Sequence, residues 1–195
     1  MENQLNTFRL GRTHSSVDTS FLGMTKSFRF INPNASANAA IPHATGCAMK
    51  CVFVQSTINT SPEAGEFLLW GTSADQYGTI VTALAGAAAA YYAVAGAVDP
   101  FISAAGWPDN YYGWVVYGGL TKLRQNATTA VAVLVGSSLA SDSTGRVALQ
   151  DVSLADDADT LTSAQEVLAV ARTASPDTEE SVLFEAFMLG RGVHA

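Results

Sequence analysis

The sequence predicts a mainly β fold, either a β-sandwich or a β-barrel, with an irregular N-terminal arm and at most one or two short helices. Two observations predict it. Apolar runs of strand length alternate with loops rich in Gly, Pro, Ser and Asn, and one central run is apolar on both faces. No repeat with a period of about 20–50 residues is present, which argues against a solenoid or a propeller.

The stretch from Trp107 to Leu120 contains the strand around which the rest of the chain is expected to pack. Residues 108–110 (Pro-Asp-Asn) favour a turn before it. Gly113, between large side chains, indicates a bulge or a close backbone approach, and residues 118–119 (Gly-Gly) are expected to end the strand. Both faces are apolar, so the strand should be buried on two sides. One face carries Tyr112, Trp114 and Val116, and the other carries Tyr111, Val115 and Tyr117.

The N-terminal residues 1–24 are predicted to form an irregular arm, because they sustain no apolar period. A single β-rich domain is expected to follow over residues 25–195. Its first strand is predicted at residues 26–31, where apolar and polar side chains alternate. Short apolar runs predict further strands at residues 47–55, 67–71, 130–135, 146–150, 166–172 and 182–189.

The segment from residue 72 to residue 106 is the hardest to assign. The run from Thr79 to Ala97 is rich in alanine, which favours a short helix or a turn of helix, although Gly86, Gly96 and the β-branched residues also admit strands. The uncharged run from Ile80 to Val98 is nearly long enough to cross a bilayer. Its alanine and glycine content drives insertion weakly, and it lacks flanking lysine or arginine anchors, so we expect tight packing and no membrane association.

Charge is sparse and unevenly distributed. Charged residues make up 14% of the chain, against roughly 25% in typical soluble domains, and the formal net charge is −7. Residues 1–60 carry a net charge of +3, and the rest of the chain carries −10. Nucleic-acid binding by the body is therefore not expected, because phosphate recognition needs a clustered basic surface. The basic arm is instead suited to lie on an acidic protein surface. A solvated tail without a partner is the other interpretation.

His43, Cys47 and Cys51 have the spacing His-x3-Cys-x3-Cys, for which a metal site is one interpretation. On a strand, the two cysteines would share a face but lie about 13 Å apart at roughly 3.3 Å per residue. That separation excludes a disulfide between them and makes shared zinc ligation awkward. Two free thiols in a reducing compartment are the favoured interpretation, and no metal or other cofactor is expected.

Enzymatic chemistry has little support in the sequence. No serine stands in a Gly-x-Ser-x-Gly elbow, and phosphate-binding glycine motifs are absent. Asp156, Asp157 and Asp159 depart from the spacing of an EF-hand calcium loop, so a solvated acidic loop is favoured. A pair of carboxylates that meet in space, as in glycoside hydrolases, stays open as an alternative.

The central aromatic residues admit two functional interpretations. Trp107, Tyr111, Tyr112, Trp114 and Tyr117 can pack in the core or at a contact between subunits, which their alternation favours. Alternatively, some of their rings form a platform on which sugars stack. Exposure of Trp107, Tyr111 and Tyr112 on one face would distinguish the glycan-binding module from the structural protein.

The sequence also resembles the decoration, or cement, proteins of tailed-bacteriophage heads. The resemblance covers roughly residues 75–192 and includes the Asn-x-x-Gly-Trp-Val pattern of residues 110–115 within the strand that ends at Gly118. It continues through an apolar run, a Ser/Thr-rich loop closing on residues 145–147 (Gly-Arg-Val), the segment 166–172 and a last strand ending at residues 189–192.

The resemblance implies a virion structural protein, not an enzyme, that binds the outside of the major capsid protein shell and stabilises it. It further implies a homotrimer on the capsid surface, made in the host cytoplasm, without nucleic-acid or membrane partners. The alternatives are a glycan-binding virion surface module and another minor head or tail subunit. Candidate contacts of the arm with the capsid are Arg9, Arg12, Lys26 and Arg29.

Overall fold

The computed structural model describes residues 9–29, 48–57, 61–71, 73–83, 94–125, 132–142, 144–149, 167–175 and 182–189. A single 3₁₀ turn at Thr19–Phe21 precedes one ten-stranded sheet, and no α-helix occurs in these ranges. The predicted mainly β fold is confirmed. Its strands are β1 (Thr25–Arg29), β2 (Ala48–Ser56), β3 (Phe67–Trp70), β4 (Ile80–Ala83), β5 (Val94–Val98), β6 (Tyr112–Arg124), β7 (Ser138–Ser141), β8 (Val147–Leu149), β9 (Ala169–Ala171) and β10 (Leu183–Met188).

Five strands close into a barrel in the order β2, β4, β3, β5 and β6. The barrel closes where β6 pairs antiparallel with β2, over a register that runs from Met49 opposite Gly119 to Gln55 opposite Tyr112. The pairing of β2 with β4 is parallel, and the other pairings of the barrel are antiparallel. Closure removes the free strand edges that an open sheet of this size would expose.

The long strand β6 belongs to both the barrel and a second set of strands. Its first half pairs with β2 and β5, and its second half, from Gly119 to Arg124, pairs with β10. The sheet continues from β10 through β9 and β7 to β8, while β1 adds to the outer edge of β2. The strand β6 therefore connects the barrel directly to the additional strands β7 to β10, which form its extension.

The barrel interior is filled by apolar side chains from all five barrel strands. Trp107, from the loop before β6, is fully buried in it and donates a hydrogen bond from Nε1 to the carbonyl oxygen of Tyr111 at 3.2 Å. The buried members of this inner core are Val52, Val54, Leu68, Trp70, Val81, Ala95, Val98, Trp107 and Val115.

A second core lies on the other side of the barrel wall. It combines side chains from the outer face of β2, β5 and β6 with side chains from β7 to β10, and the N-terminal segment packs against it. Trp114 is at its centre, with edge-to-face ring contacts to Phe28 at 5.3 Å and to Phe53 at 5.1 Å between centroids. The second core therefore joins the barrel, its extension and the N-terminal segment.

The predicted two-sided burial of the central strand is confirmed. Tyr112, Trp114 and Val116 pack in the second core, and Tyr111, Val115 and Tyr117 contact the inner core. Gly113 is the expected close approach, because a Cβ there would lie 3.0 Å from the Trp107 ring.

The expectation that residues 118–119 end the strand is wrong. The chain continues as β6 to Arg124, and Gly119, with φ +84°, lies within the strand. The register with β2 shifts near this point, between Lys50 and Cys51, so one extra residue of β6 is accommodated. Glycine therefore marks a bulge here and not a turn.

The prediction of a short helix between Thr79 and Ala97 is wrong for both ends of that run. Residues 80–83 form β4 and residues 94–98 form β5, while residues 84–93 lie outside the described residues. Burial in the barrel outweighs the helix propensity of alanine, and Gly96, with φ +146°, permits close contact with the backbone of Val116. No helix in the described part of the chain is long and apolar enough to cross a membrane.

The strand predicted at residues 130–135 is also wrong in its described part. Only Val133 makes a bridge, to Ser175, whereas Leu134 and Val135 are 64% and 68% exposed. The chain turns at Val135 and Gly136, and Gly136 has a left-handed φ of +89° that glycine adopts readily in turns. The strands predicted near residues 26, 47, 67, 146, 166 and 182 are confirmed, with bounds that differ by up to three residues where the structure describes them.

Candidate interaction surfaces

The N-terminal segment, residues 9–24, packs against the outside of the barrel and forms backbone hydrogen bonds with it. His14 exchanges two backbone hydrogen bonds with Tyr112, both at 2.8 Å. Four apolar side chains of the segment are partly buried against the second core: Leu10, Val17, Phe21 and Met24. The irregular segment predicted from the sequence is thus packed on the body over its described residues, while residues 1–8 lie outside them.

Asp99 provides a second attachment for this segment. Its carboxylate is fully buried and accepts hydrogen bonds from the backbone N–H groups of Gly11 at 2.6 Å and Phe101 at 2.9 Å. Burial raises the pKa of Asp99 to about 6, and the two hydrogen bonds oppose that rise. Burial, together with the nearby Asp99 charge, also raises the pKa of the Cys51 thiol.

All five basic residues of the first 60 positions are exposed. Arg9 and Arg12 lie in the N-terminal segment, Lys26 and Arg29 lie in β1, and Lys50 lies in β2. Among the described residues, no carboxylate forms a salt bridge with any of them, although Lys26 stacks over the Phe28 ring at 5.1 Å. These residues give one part of an acidic protein an outward-facing positive charge.

The central aromatic residues are buried to different degrees. Trp107 and Trp114 have exposed fractions of 0% and 1%, so neither offers a ring face to solvent. Tyr111, Tyr112 and Tyr117 are half-buried against the two cores. Burial raises the pKa of the Tyr117 hydroxyl, and Cys51 adds to that rise. Trp107 is therefore absent from any face on which Tyr111 and Tyr112 could stack a sugar.

An open groove of about 350 Å³ lies where β6 leaves the barrel. Ala48 and Lys50 of β2, Gly118 and Gly119 of β6, and Phe187, Met188 and Leu189 at the end of β10 line it. Phe187 and Leu189 are 46% and 44% exposed, while the alternate residues Ala186 and Met188 point into the second core. The groove therefore combines an apolar wall with one lysine.

Two carboxylates lie close together in the loop before β3, but each has an arginine partner. Glu66 accepts from Arg146 Nε at 3.0 Å and from the backbone N–H of Glu63 at 2.9 Å. The Glu63 carboxylate is 2.9 Å from Arg124 Nη1. These pairs connect the loop to the ends of β6 and β8. Each of the two carboxylates is therefore held in an ion pair with an arginine.

Only some of the candidate metal ligands are among the residues that the structure describes. Cys51 is a buried free thiol that faces the second core, whereas His43 and Cys47 lie outside the described residues. Asp156, Asp157 and Asp159 also lie outside them. Within the described ranges, no group of three or more His, Cys, Asp or Glu side chains is placed to hold a metal ion.

Sequence reasoning missed the groove. Lys50, Phe187 and Leu189 stand in segments that the sequence predicts only as strands. The available signal was the run of apolar residues at 186–189, where alternation must direct every second side chain away from the core. The position of Lys50 opposite Gly118 depends on strand pairing, which local patterns do not encode.

No protein-family model matches the sequence, and no curated protein matches it. Among solved structures, the chain is similar to the crystal structure of the head fiber gp8.5 N base in bacteriophage phi29. The two share 12% sequence identity with a TM-score of 0.43, and the match covers 71% of this chain and 93% of that chain. At this level of similarity the match carries no inference about function.

Proposed function

We propose that the protein is a structural protein of a tailed-phage virion that binds the outside of the major capsid protein shell and stabilises it. Its mode of action is binding and not catalysis. The proposal rests first on the sequence resemblance, whose central pattern, residues 110–115, leads into the strand shared by the barrel and its extension. The resemblance adds that three copies assemble at three-fold or quasi-three-fold positions.

The observation that carries a binding role is the unpaired basic surface. Arg9, Arg12, Lys26 and Arg29 are exposed on the N-terminal segment and β1, and the described residues supply no salt-bridge partner for them. Because they are exposed and unpaired, these residues are available to an acidic partner surface. The rest of the chain carries a net negative charge. A ligand that binds only the assembled shell stabilises it by mass action, by RT ln(1 + [L]/Kd).

Light scattering and co-sedimentation test this function together. The purified protein should have the mass of a trimer and should pellet with capsid shells that lack it. A monomer that stays in the supernatant with intact shells would refute the proposal. Binding to a glycan array in place of shells would favour the sugar-binding alternative.

Charge reversal tests the basic surface. Arg12→Glu and Arg29→Glu should each weaken shell binding about tenfold, because an attractive contact becomes a repulsive one. Arg172→Glu is the matched control, since Arg172 is an exposed arginine at the end of β9, outside the N-terminal segment and β1. Equal binding by all three variants would show that the N-terminal segment and β1 do not touch the shell.

A further inference from the structure

We propose that the groove between β2 and β10 binds an extended segment of another protein in which apolar side chains alternate with carboxylates. That the segment belongs to a capsid subunit rests on the proposed function, whereas the chemistry of the groove does not.

The apolar half of the groove contains two large apolar side chains that are exposed to solvent. Phe187 and Leu189 follow one another on the outer face of β10 and are both nearly half exposed. Large apolar side chains that line a concave surface together mark interaction sites more often than isolated exposed residues do. Gly118 and Gly119 contribute backbone to the groove and no side chain, which leaves room for apolar side chains of a partner.

Positive charge lies on the same face as the groove. Lys50 is the register partner of both Ser27 on β1 and Gly118 on β6. Because side chains two residues apart share a face of a strand, Arg29 lies on the face of Ser27 and therefore beside Lys50. Both cations are exposed, and neither is paired with a carboxylate of the described residues.

The acidic side chain on the same face of β10 does not neutralise this charge. Glu185 is buried and is the register partner of Lys122, which is also buried. Burial lowers the pKa of Lys122, and the Glu185 charge opposes that change. Glu185 therefore lies beside a cation of its own, and Lys50 and Arg29 are left for a carboxylate that comes from outside.

Charge also argues against a second copy of the same groove as the occupant. A two-fold contact of the groove with itself would place Lys50 and Arg29 of one copy near Lys50 and Arg29 of the other. Like charges that face one another across a contact oppose its formation. A segment of a different protein can cover the apolar wall with its apolar side chains and pair its carboxylates with Lys50 and Arg29.

The test uses the full-length protein labelled with ¹⁵N and three eight-residue peptides. One peptide alternates leucine with glutamate, the second alternates leucine with lysine, and the third alternates serine with glutamate. The first should shift the amide resonances of Gly118, Gly119 and Leu189 and should bind at least tenfold more tightly than the other two. Added salt should weaken it, because part of the attraction is electrostatic.

Variants assign binding to the groove. Phe187→Ser and Lys50→Glu should each reduce affinity for the leucine–glutamate peptide at least tenfold, whereas Lys50→Arg should retain it. Tyr77→Ser is the matched control, because Tyr77 is similarly exposed at 43% and lies in the turn before β4. Unchanged dispersion of the amide spectrum verifies that each variant is folded.

Three results would overturn the proposal. The first is tighter binding of the leucine–lysine peptide or of an oligothymidylate than of the leucine–glutamate peptide. The second is shifts that map away from the groove. The third is a concentration-dependent mass that Phe187→Ser abolishes, which would make a second copy the occupant. The proposed function can fail separately from the groove proposal. If the protein binds the leucine–glutamate peptide at the groove but does not bind capsid shells, the groove proposal is supported and the proposed function is refuted.

Discussion

Trp114 is a side chain whose removal should cost much of the stability of the fold. It is 1% exposed and contacts the rings of Phe28 and Phe53. Trp114→Ala should lower the free energy of unfolding by about 3–5 kcal/mol, because a buried aromatic is lost and a cavity remains. Phe187→Ala, at a half-exposed position, should change it by less than about 1 kcal/mol. Urea denaturation of both variants measures the difference, and equal midpoints would contradict the burial of Trp114.

Two glycines with similar backbone angles should respond differently to alanine. Gly119 has φ +84°, and a Cβ there would overlap the carbonyl oxygen of Ala48, whereas Gly136 has φ +89° and no atom within 4 Å of its Cβ position. Gly136→Ala should therefore cost only the strain of a left-handed alanine, about 1–2 kcal/mol. Gly119→Ala should cost at least about 2 kcal/mol more, since the pairing of β6 with β2 must shift. Thermal denaturation of the two variants provides the comparison.

Asp99 should make stability depend on pH in a defined direction. Its pKa is about 6 in the folded protein and near 3.8 when unfolded, so the folded state binds the proton more tightly. Its contribution to the free energy of unfolding is therefore greatest below about pH 4 and falls as pH rises through 6, by about 3 kcal/mol in total.

The substitution Asp99→Asn isolates this effect from the other carboxyl groups. The difference in unfolding free energy between the two proteins should vary with pH between about 4 and 6 and be constant above about 7. Denaturant titrations at several pH values measure that difference. A pH-independent difference would mean that Asp99 has the same pKa in the folded and the unfolded protein.

At the scale of elements, the N-terminal segment should contribute to the fold as well as to any partner contact. Removing residues 1–24 deletes the backbone pairing of His14 with Tyr112 and uncovers apolar surface of the second core. We expect a lower denaturation midpoint and increased binding of a hydrophobic dye. For this reason the point substitutions Arg12→Glu and Arg29→Glu are better tests of partner contacts than truncation. An unchanged midpoint after truncation would mean that the packing of this segment contributes no stability.

The elements that could be predicted from the sequence are those with a local signal. The two faces of β6 follow from alternation between residues 111 and 117, because burial on a strand has a period of two. Closure of the barrel by β2 and β6 could not be predicted, since register between distant strands leaves no local pattern. The contact of Gly11 with Asp99, which are 88 residues apart, is of the same kind. The groove was missed for this reason too, as it needs β2, β6 and β10 side by side.

At the scale of the whole molecule, the barrel and its extension should unfold together. The second core contains side chains of both, and the Glu63–Arg124 and Glu66–Arg146 pairs connect the loop before β3 to β6 and β8. The buried apolar side chains of β7 to β10 belong to this shared core, so unfolding of the barrel would expose them to water. A single cooperative transition is the expected result.

Two probes with different locations test that cooperativity. All three tryptophans, Trp70, Trp107 and Trp114, belong to the barrel or the loop that fills it, so their fluorescence reports barrel unfolding. Hydrogen exchange of amides in β9 and β10 reports the extension. Both should give the same free energy of unfolding, and Leu139→Ala in β7, where the side chain is fully buried, should lower both equally. Exchange in β9 and β10 at a lower free energy than the fluorescence transition would show that the extension opens alone.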